Sequence, residues 1–154
     1  MCLILSGKVG SNIASELGTM RVTQQIDALE IMGVNSASYL ILPKIAGLMT
    51  IMPFLVIFSS ATGILGAYAT SFLAHIISVE DLTAGIQHDF NPWFMYMSII
   101  KSLFFAFIIA SVSSFMGYTV KGGSVEVGKA STDAVVCSSV LILFSDVFLT
   151  QLLS

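Results

Sequence analysis

The chain has 154 residues, of which 56% are hydrophobic and only 10% are charged, and its mean hydropathy is +0.95. This composition excludes a soluble globular domain and indicates a protein whose solvent is lipid. Nine acidic and six basic residues give a net charge of −3 without a basic patch interleaved with aromatics, which excludes a nucleic-acid partner. We therefore expect an all-α integral membrane protein, built as a polytopic helical bundle.

Residues 16–33 are the only substantial block that carries charge at helical spacing. Its apolar positions are Met20, Val22, Ile26, Leu29 and Gly33. Polar and charged side chains fall between them, so the pattern predicts a short amphipathic helix with one apolar and one hydrated face. Such a helix is too polar to cross a bilayer, and we expect it to lie at the membrane surface.

Three long apolar stretches predict membrane spans at residues 44–75, 93–118 and 132–153. The first is uncharged from 45 to 74, and a helix of that length measures roughly 45 Å, more than the ~30 Å hydrocarbon core requires. We expect it to tilt, bend or protrude, with Pro53, Gly63 and Gly66 as the bending points. Pro43 is expected to mark the turn from the surface helix into the membrane.

The loop at 75–92 predicts a short helix outside the membrane, because Ser78 is placed to cap it with Asp81 at its third position. His75 and His88 raise the alternative of a metal site, with Glu80 or Asp89 as further ligands. Their spacing matches no known ligand pattern, so a small helix that packs on the bundle is the favoured interpretation.

The basic residues between the spans and at their edges predict the orientation of the chain. They are Lys8, Arg21, Lys44, Lys121 and Lys129. The loop at 75–92 contains three acidic residues and neither Lys nor Arg. By the positive-inside rule, the surface helix and the loop at 120–130 are expected in the cytoplasm, and the 75–92 loop and the C-terminus outside.

Two charged residues, Lys101 and Asp146, fall inside the predicted second and third spans. Each lies some eight residues from the same side of the membrane, so their depths coincide. A lone charge at such a depth costs about 2.5–3.5 kcal/mol, which favours pairing across the two helices. The pair either holds the helices in register or forms a site at which Lys101 attracts a lipid phosphate and Asp146 orients it.

Several short motifs occur in the order found in one family of permeases. They are GKVG at 7–10, ASELGTMRVT at 14–23, QIDAL at 25–29, MGV at 32–34, IKS at 100–102 and STDAVVCSS at 131–139. The pattern resembles the MlaE/YrbE family, the membrane subunits of ABC transporters that work with MCE proteins on lipids. The family usually has Glu where this chain has Gln24, which removes one negative charge.

The resemblance implies a role for the surface helix. Residues 16–35 would be a cytoplasmic coupling helix, and its side chains that dock on an ATPase would be Glu16, Arg21, Gln24, Gln25, Asp27 and Glu30. Residues 1–15 would be the end of a membrane helix, so the chain would be the C-terminal portion of a single permease domain. Lys8 would lie at the interface or contact a lipid phosphate.

The resemblance also implies the function and the partners. The chain would be a non-catalytic, homodimeric permease subunit in a bacterial inner membrane, moving phospholipid or a related lipid between that membrane and the periplasm. It would bind no cofactor itself, since ATP and Mg would be held by the ABC ATPase subunit. An MCE-domain protein would sit on the outer side, and a STAS-domain protein is a further candidate partner.

Two other classes of function stay open. A small membrane channel or scaffold would explain the spans without an ATPase. An intramembrane lipid-modifying enzyme is disfavoured because the sequence offers no nucleophile-base-acid set. Cys2 and Cys137 are far apart in apolar surroundings, which favours a structural role over a metal or redox site.

Overall fold

A computed structural model describes residues 1–74 and 78–153 of the chain. The helices are α1 (Cys2–Leu5), a π-helical segment (Ser6–Gly10), α2 (Ser11–Val22), α3 (Gln25–Ile31), α4 (Ser36–Ala74), α5 (Val79–His88), α6 (Pro92–Tyr118) and α7 (Ser124–Leu153). These two described stretches contain no strand, which confirms the predicted all-α class. Three of the helices, α4, α6 and α7, are long and apolar enough to cross a membrane.

Helix α6 is the centre of the bundle, because α2, α4 and α7 all pack against it. Small residues set the spacing between α2 and α6. A Cβ atom added to Gly117 would lie 2.6 Å from the carbonyl oxygen of Ala14. The two backbones therefore approach as closely as helices do at small-residue interfaces in membranes.

Helix α4 has 39 residues, so it is roughly 58 Å long. It begins at Ser36, and both Pro43 and Pro53 lie inside it. The prediction that Pro43 marks a turn was wrong, because the helix continues through this residue. Membrane helices tolerate proline where other groups satisfy the carbonyl that loses its hydrogen bond. Residue 75, the predicted end of this span and one of the two histidines of the metal alternative, lies outside the described residues.

Helix α7 begins at Ser124 rather than at residue 132, so most of the loop expected at 120–130 is helical. The additional turns are held by packing on α2, where a Cβ atom added to Gly18 would lie 3.0 Å from Val127 Cγ1. The predicted cap of α5 is confirmed, since Ser78 Oγ accepts a hydrogen bond from the backbone N–H of Asp81 at 3.2 Å.

Candidate functional site

The predicted surface helix is two helices in the structure. Residues up to Val22 belong to α2, the chain turns at Thr23 and Gln24, and α3 starts at Gln25. Gln24 adopts a left-handed conformation with φ of 59°, which a continuing helix does not allow. Glu16 and Arg21 therefore lie on the helix that packs in the bundle, whereas Asp27 and Glu30 lie on the short helix α3.

The α3 end of the bundle is the end at which α2 and α6 stop and α4 and α7 begin. Two ion pairs between helices lie there. Lys44 Nζ of α4 donates to Glu16 Oε2 of α2 at 2.6 Å, and Arg21 Nη1 of α2 donates to Asp27 Oδ1 of α3 at 2.9 Å. Exposed pairs of this kind contribute about 0–1 kcal/mol each, so they orient helices more than they stabilise the fold.

A hydrogen-bonded triad joins α3 to two of the long helices. Glu30 Oε1 of α3 accepts from Ser36 Oγ at 3.0 Å and from the Tyr118 hydroxyl at 3.1 Å, and those two hydroxyl oxygens lie 2.8 Å apart. The guanidinium of Arg21 lies 5.7 Å from the centroid of the Tyr118 ring. We call Glu30, Ser36 and Tyr118 the α3 latch. It connects α3 directly to the first turn of α4 and the last turn of α6.

Four of the six predicted docking residues thus have partners within the chain, namely Glu16, Arg21, Asp27 and Glu30. Gln24 and Gln25 are exposed at the turn. The sequence pattern did not identify the partners Lys44 and Tyr118, because contacts between distant helices leave no trace in local periodicity. Tyr118 does carry a signal, since a phenol at the end of an apolar helix is suited to an interface.

Two large apolar side chains at the end of α3 also escaped the sequence interpretation. Ile31 is 87% exposed and Met32 is 68% exposed. Ile26 of the same helix is fully buried, so α3 buries one apolar side chain in the bundle and leaves Ile31 and Met32 outside it. An exposed apolar tip next to polar side chains has the composition of a protein contact surface.

The structure brings Lys101 and Asp146 together. Lys101 Nζ donates to Asp146 Oδ1 at 3.0 Å and to Thr150 Oγ1 at 2.6 Å. The pair lines a cleft of about 330 Å³, together with Cys2 and Ser102. The register role and the lipid-headgroup role both fit this geometry and stay predictions.

The remaining predicted residue, Lys8, is exposed on the π-helical segment between α1 and α2. Two residues further on, Gly10 packs against Ser113 of α6, so Lys8 lies about half a helical turn from a buried contact. Cys2 and Cys137 are free thiols. Across residues 1–74 and 78–153, no group of three His, Cys, Asp or Glu side chains is arranged to hold a metal ion.

Residues 1–152 match the family described as Permease MlaE. A probable ABC transporter permease protein of Rickettsia bellii is 38% identical over 151 residues, which is 97% of this chain and 58% of the relative. A probable ABC transporter permease protein of Synechocystis sp. is 34% identical over 98% of this chain and 57% of the relative. The chloroplastic protein TRIGALACTOSYLDIACYLGLYCEROL 1 of Arabidopsis thaliana is 33% identical over 97% of this chain and 43% of that protein.

The fold and these similarities together define the class of protein, which is a polytopic helical membrane protein of the ABC transporter permease type. The chain belongs to the MlaE permease family. It spans 58% of the length of the Rickettsia bellii relative.

Proposed function

We propose that the chain is part of the permease subunit of an MCE-type ABC transporter that moves phospholipid or a related lipid. A separate ABC ATPase would dock on α3 and on the adjoining end of α2. Binding and hydrolysis of ATP with Mg would take place on that partner. The observation that carries the proposal is the α3 latch, because it ties a solvent-facing helix to two membrane helices.

The contacts of α3 suit the transmission of movement. A short helix that touched only its chain neighbours would move without consequence for the bundle. Here the Glu30 carboxylate accepts hydrogen bonds from α4 and from α6 at once, and Arg21 links α2 to Asp27. Displacement of α3 by a closing ATPase would therefore pull on α2, α4 and α6 together. A packed bundle converts a local shift of this kind into a change between two states.

The partners and the orientation are part of the same proposal. The α3 end would face the cytoplasm and the α5 end the periplasm, across a bacterial inner membrane. An MCE-domain protein would sit at the α5 end, a STAS-domain protein would bind the ATPase, and the permease would act as a homodimer. The charge bias supports this placement, because Lys121 and Lys129 lie near the α3 end, whereas α5 carries Glu80 and Asp81.

The test is a charge swap, Arg21→Glu with Asp27→Arg. These two residues pair with each other, so the swap keeps an internal ion pair while it reverses the charges presented to a partner. It also removes the contact of Arg21 with the Tyr118 ring. We expect the whole protein to remain folded and its affinity for the cognate ATPase to fall about tenfold, measured by co-purification and titration in detergent.

The matched control is Glu126→Lys with Lys129→Glu, which swaps another exposed pair with a 3.0 Å separation at the same end of the bundle. We expect this variant to bind the ATPase as the unmodified protein does. Undiminished binding by the first variant, or an equal loss in both, would contradict docking through α2 and α3. A channel or a scaffold would bind no ATPase at all, and a lipid-modifying enzyme would turn over lipid without one.

A further inference from the structure

A second cleft lies at the α5 end of the bundle, on the opposite side from the α3 latch. Its volume is about 510 Å³, within the range of small-molecule sites in proteins. Helices α4 and α6 form its walls, and the amphipathic helix α5 closes part of it. Its large apolar side chains include Ile57, Ile64, Ile86, Phe90, Phe94 and Met95.

The interior of the cleft is apolar in effect, although two serines line it. Ser60 Oγ donates to the carbonyl oxygen of Val56 at 2.9 Å, and Ser98 Oγ donates to that of Phe94 at 2.9 Å. Both hydroxyl protons are thus used within their own helices. What the cleft offers to a ligand is hydrocarbon surface, and several of its side chains remain about half exposed, including Ile64 at 46% and Met95 at 50%.

The dimensions of the cleft suit a lipid tail. Its wall on α4 runs from Val56 to Ile64, and the opposite wall runs from Asn91, the N-cap of α6, to Ile99. Eight residues of helix rise about 12 Å, which is close to the roughly 15 Å thickness of one hydrocarbon leaflet. A straight apolar chain lying between the two helices would cover side chains that the protein leaves open.

The polar groups of the cleft are concentrated at one end, where α5 meets α6. Asp89 and Asn91 lie there, next to the start of α6. His88 Nδ1 lies 3.3 Å from Asp89 Oδ1, which leaves the second carboxylate oxygen available to a ligand. Asn91 Oδ1 accepts from the Trp93 backbone N–H at 3.0 Å, so this oxygen is already hydrogen-bonded as the N-cap of α6.

The charge around this end selects the head of the lipid. From residue 45 to residue 100 the sequence contains Glu80, Asp81 and Asp89 but neither Lys nor Arg. Among the described residues that line the cleft, Asp89 is the one charged side chain, and His88 lies beside only one of its oxygens. An anionic head would therefore meet like charge at Asp89, whereas an ammonium group would find a carboxylate with a free oxygen. A primary ammonium also offers three N–H donors, which a quaternary ammonium lacks.

We propose that this cleft binds one acyl chain of an aminophospholipid from the leaflet at the α5 end, with the lipid ammonium on Asp89. The cleft adjoins the one lined by Lys101 and Asp146, with which it shares Val56 and Ser98, but neither Lys101 nor Asp146 lines it. It requires only that the protein is embedded in a membrane. Its test therefore needs no ATPase, and failure of the transport proposal would leave it standing.

The whole protein would be reconstituted in phosphatidylcholine vesicles that contain a trace of phosphatidylethanolamine with a photoreactive acyl chain. Adducts on α6 between residues 94 and 99 would be measured by mass spectrometry relative to adducts on Phe144 and Phe148, exposed residues of α7. A phosphatidylglycerol probe with the same chain gives the comparison of heads. We expect the ethanolamine probe to label α6 about tenfold more than the glycerol probe.

The variant that fills the cleft is Gly85→Leu. No atom lies within 4 Å of a Cβ added at Gly85, so leucine enters open space in the cleft and also favours the helix. We expect α6 labelling to fall about tenfold. Gly66→Leu is the control, because Gly66 is equally open and does not line the cleft.

A second variant, Asp89→Asn, removes the charge without filling the cleft. Its control is Glu80→Gln, on the same side of the bundle. We expect Asp89→Asn to abolish the preference for the ethanolamine probe and the control to keep it. Equal labelling by the two probes in the unmodified protein would overturn the proposal. So would unchanged labelling in Gly85→Leu, or protein–protein crosslinks at α6 in place of lipid adducts.

Discussion

Lys101 and Asp146 are the residues whose contact was easiest to foresee, because a charge inside an apolar helix has few options. Equal depth on antiparallel helices predicted the pair, and their charged atoms lie 3.0 Å apart. The third member of the cluster, Thr150, was missed. A hydroxyl group carries no charge, so nothing in the sequence indicated that Thr150 has a partner. Thr150 lies one turn after Asp146, which brings the Thr150 oxygen within 2.6 Å of Lys101 Nζ.

We predict that Lys101→Ala and Asp146→Ala each destabilise the protein, since each leaves the other charge unpaired in the span. The expected cost is about 2.5–3.5 kcal/mol, measured as the change in free energy of unfolding in lipid or mild detergent. The exchange Lys101→Asp with Asp146→Lys should recover part of that loss. Thr150→Val is the milder control, with an expected cost of about 1 kcal/mol. An exchange no better than either single substitution would rule out direct pairing as the cause.

Gly117 is a position where a single methyl group should matter. Its added Cβ would meet the Ala14 carbonyl oxygen at 2.6 Å and the Leu17 side chain at 2.9 Å. We predict that Gly117→Ala pushes α2 and α6 apart and costs about 1–3 kcal/mol, seen as a lower Tm in mild detergent. Gly66→Ala, in a helix with open space around it, should leave Tm unchanged or slightly raised. Equal Tm values for the two variants would show that the helices are not held at this contact.

At the scale of elements, the surface helix shows where sequence patterns reach their limit. Apolar positions recur at helical spacing across residues 16–33, so one continuous helix was the natural prediction. The break falls at Gln24, which adopts φ of 59° without being Gly or Asn, the residues that usually signal such a conformation. Because Ile26 must reach the bundle while Arg21 reaches Asp27, tertiary contacts override the local periodicity.

The α3 latch gives a prediction at this scale. Tyr118→Phe removes the hydroxyl that bonds to Glu30 and lies beside Ser36, but it keeps the ring beneath Arg21. Loss of hydrogen bonds to a carboxylate costs about 1.5–3 kcal/mol, so opening of α3 should become roughly tenfold more frequent or greater. Amide hydrogen exchange across residues 25–31 measures this directly. Tyr39→Phe, at an exposed tyrosine of α4, is the control and should leave exchange in α3 unaltered.

At the scale of the whole molecule, composition was enough to predict a helical membrane bundle and the approximate positions of its spans. The helix ends were less accurate, because contacts such as Ser36 with Tyr118 and Gly18 with Val127 extend α4 and α7 beyond their apolar stretches. The central position of α6 could not be foreseen. Apart from Lys101 and Asp146, which indicated a contact between α6 and α7, the three spans are so apolar that their sequences do not indicate which other faces meet.

The central position of α6 also bears on how the chain is made. Synthesis delivers α2 and α4 before the helix that both of them pack against. At about 5–20 residues per second, α2 waits roughly 5–20 s for the last residue of α6 to emerge from the ribosome. During that interval the small-residue face of α2 is open to other proteins in the bilayer. We therefore expect assembly of the nascent chain to depend on a protein or lipid that covers this face at the translocon.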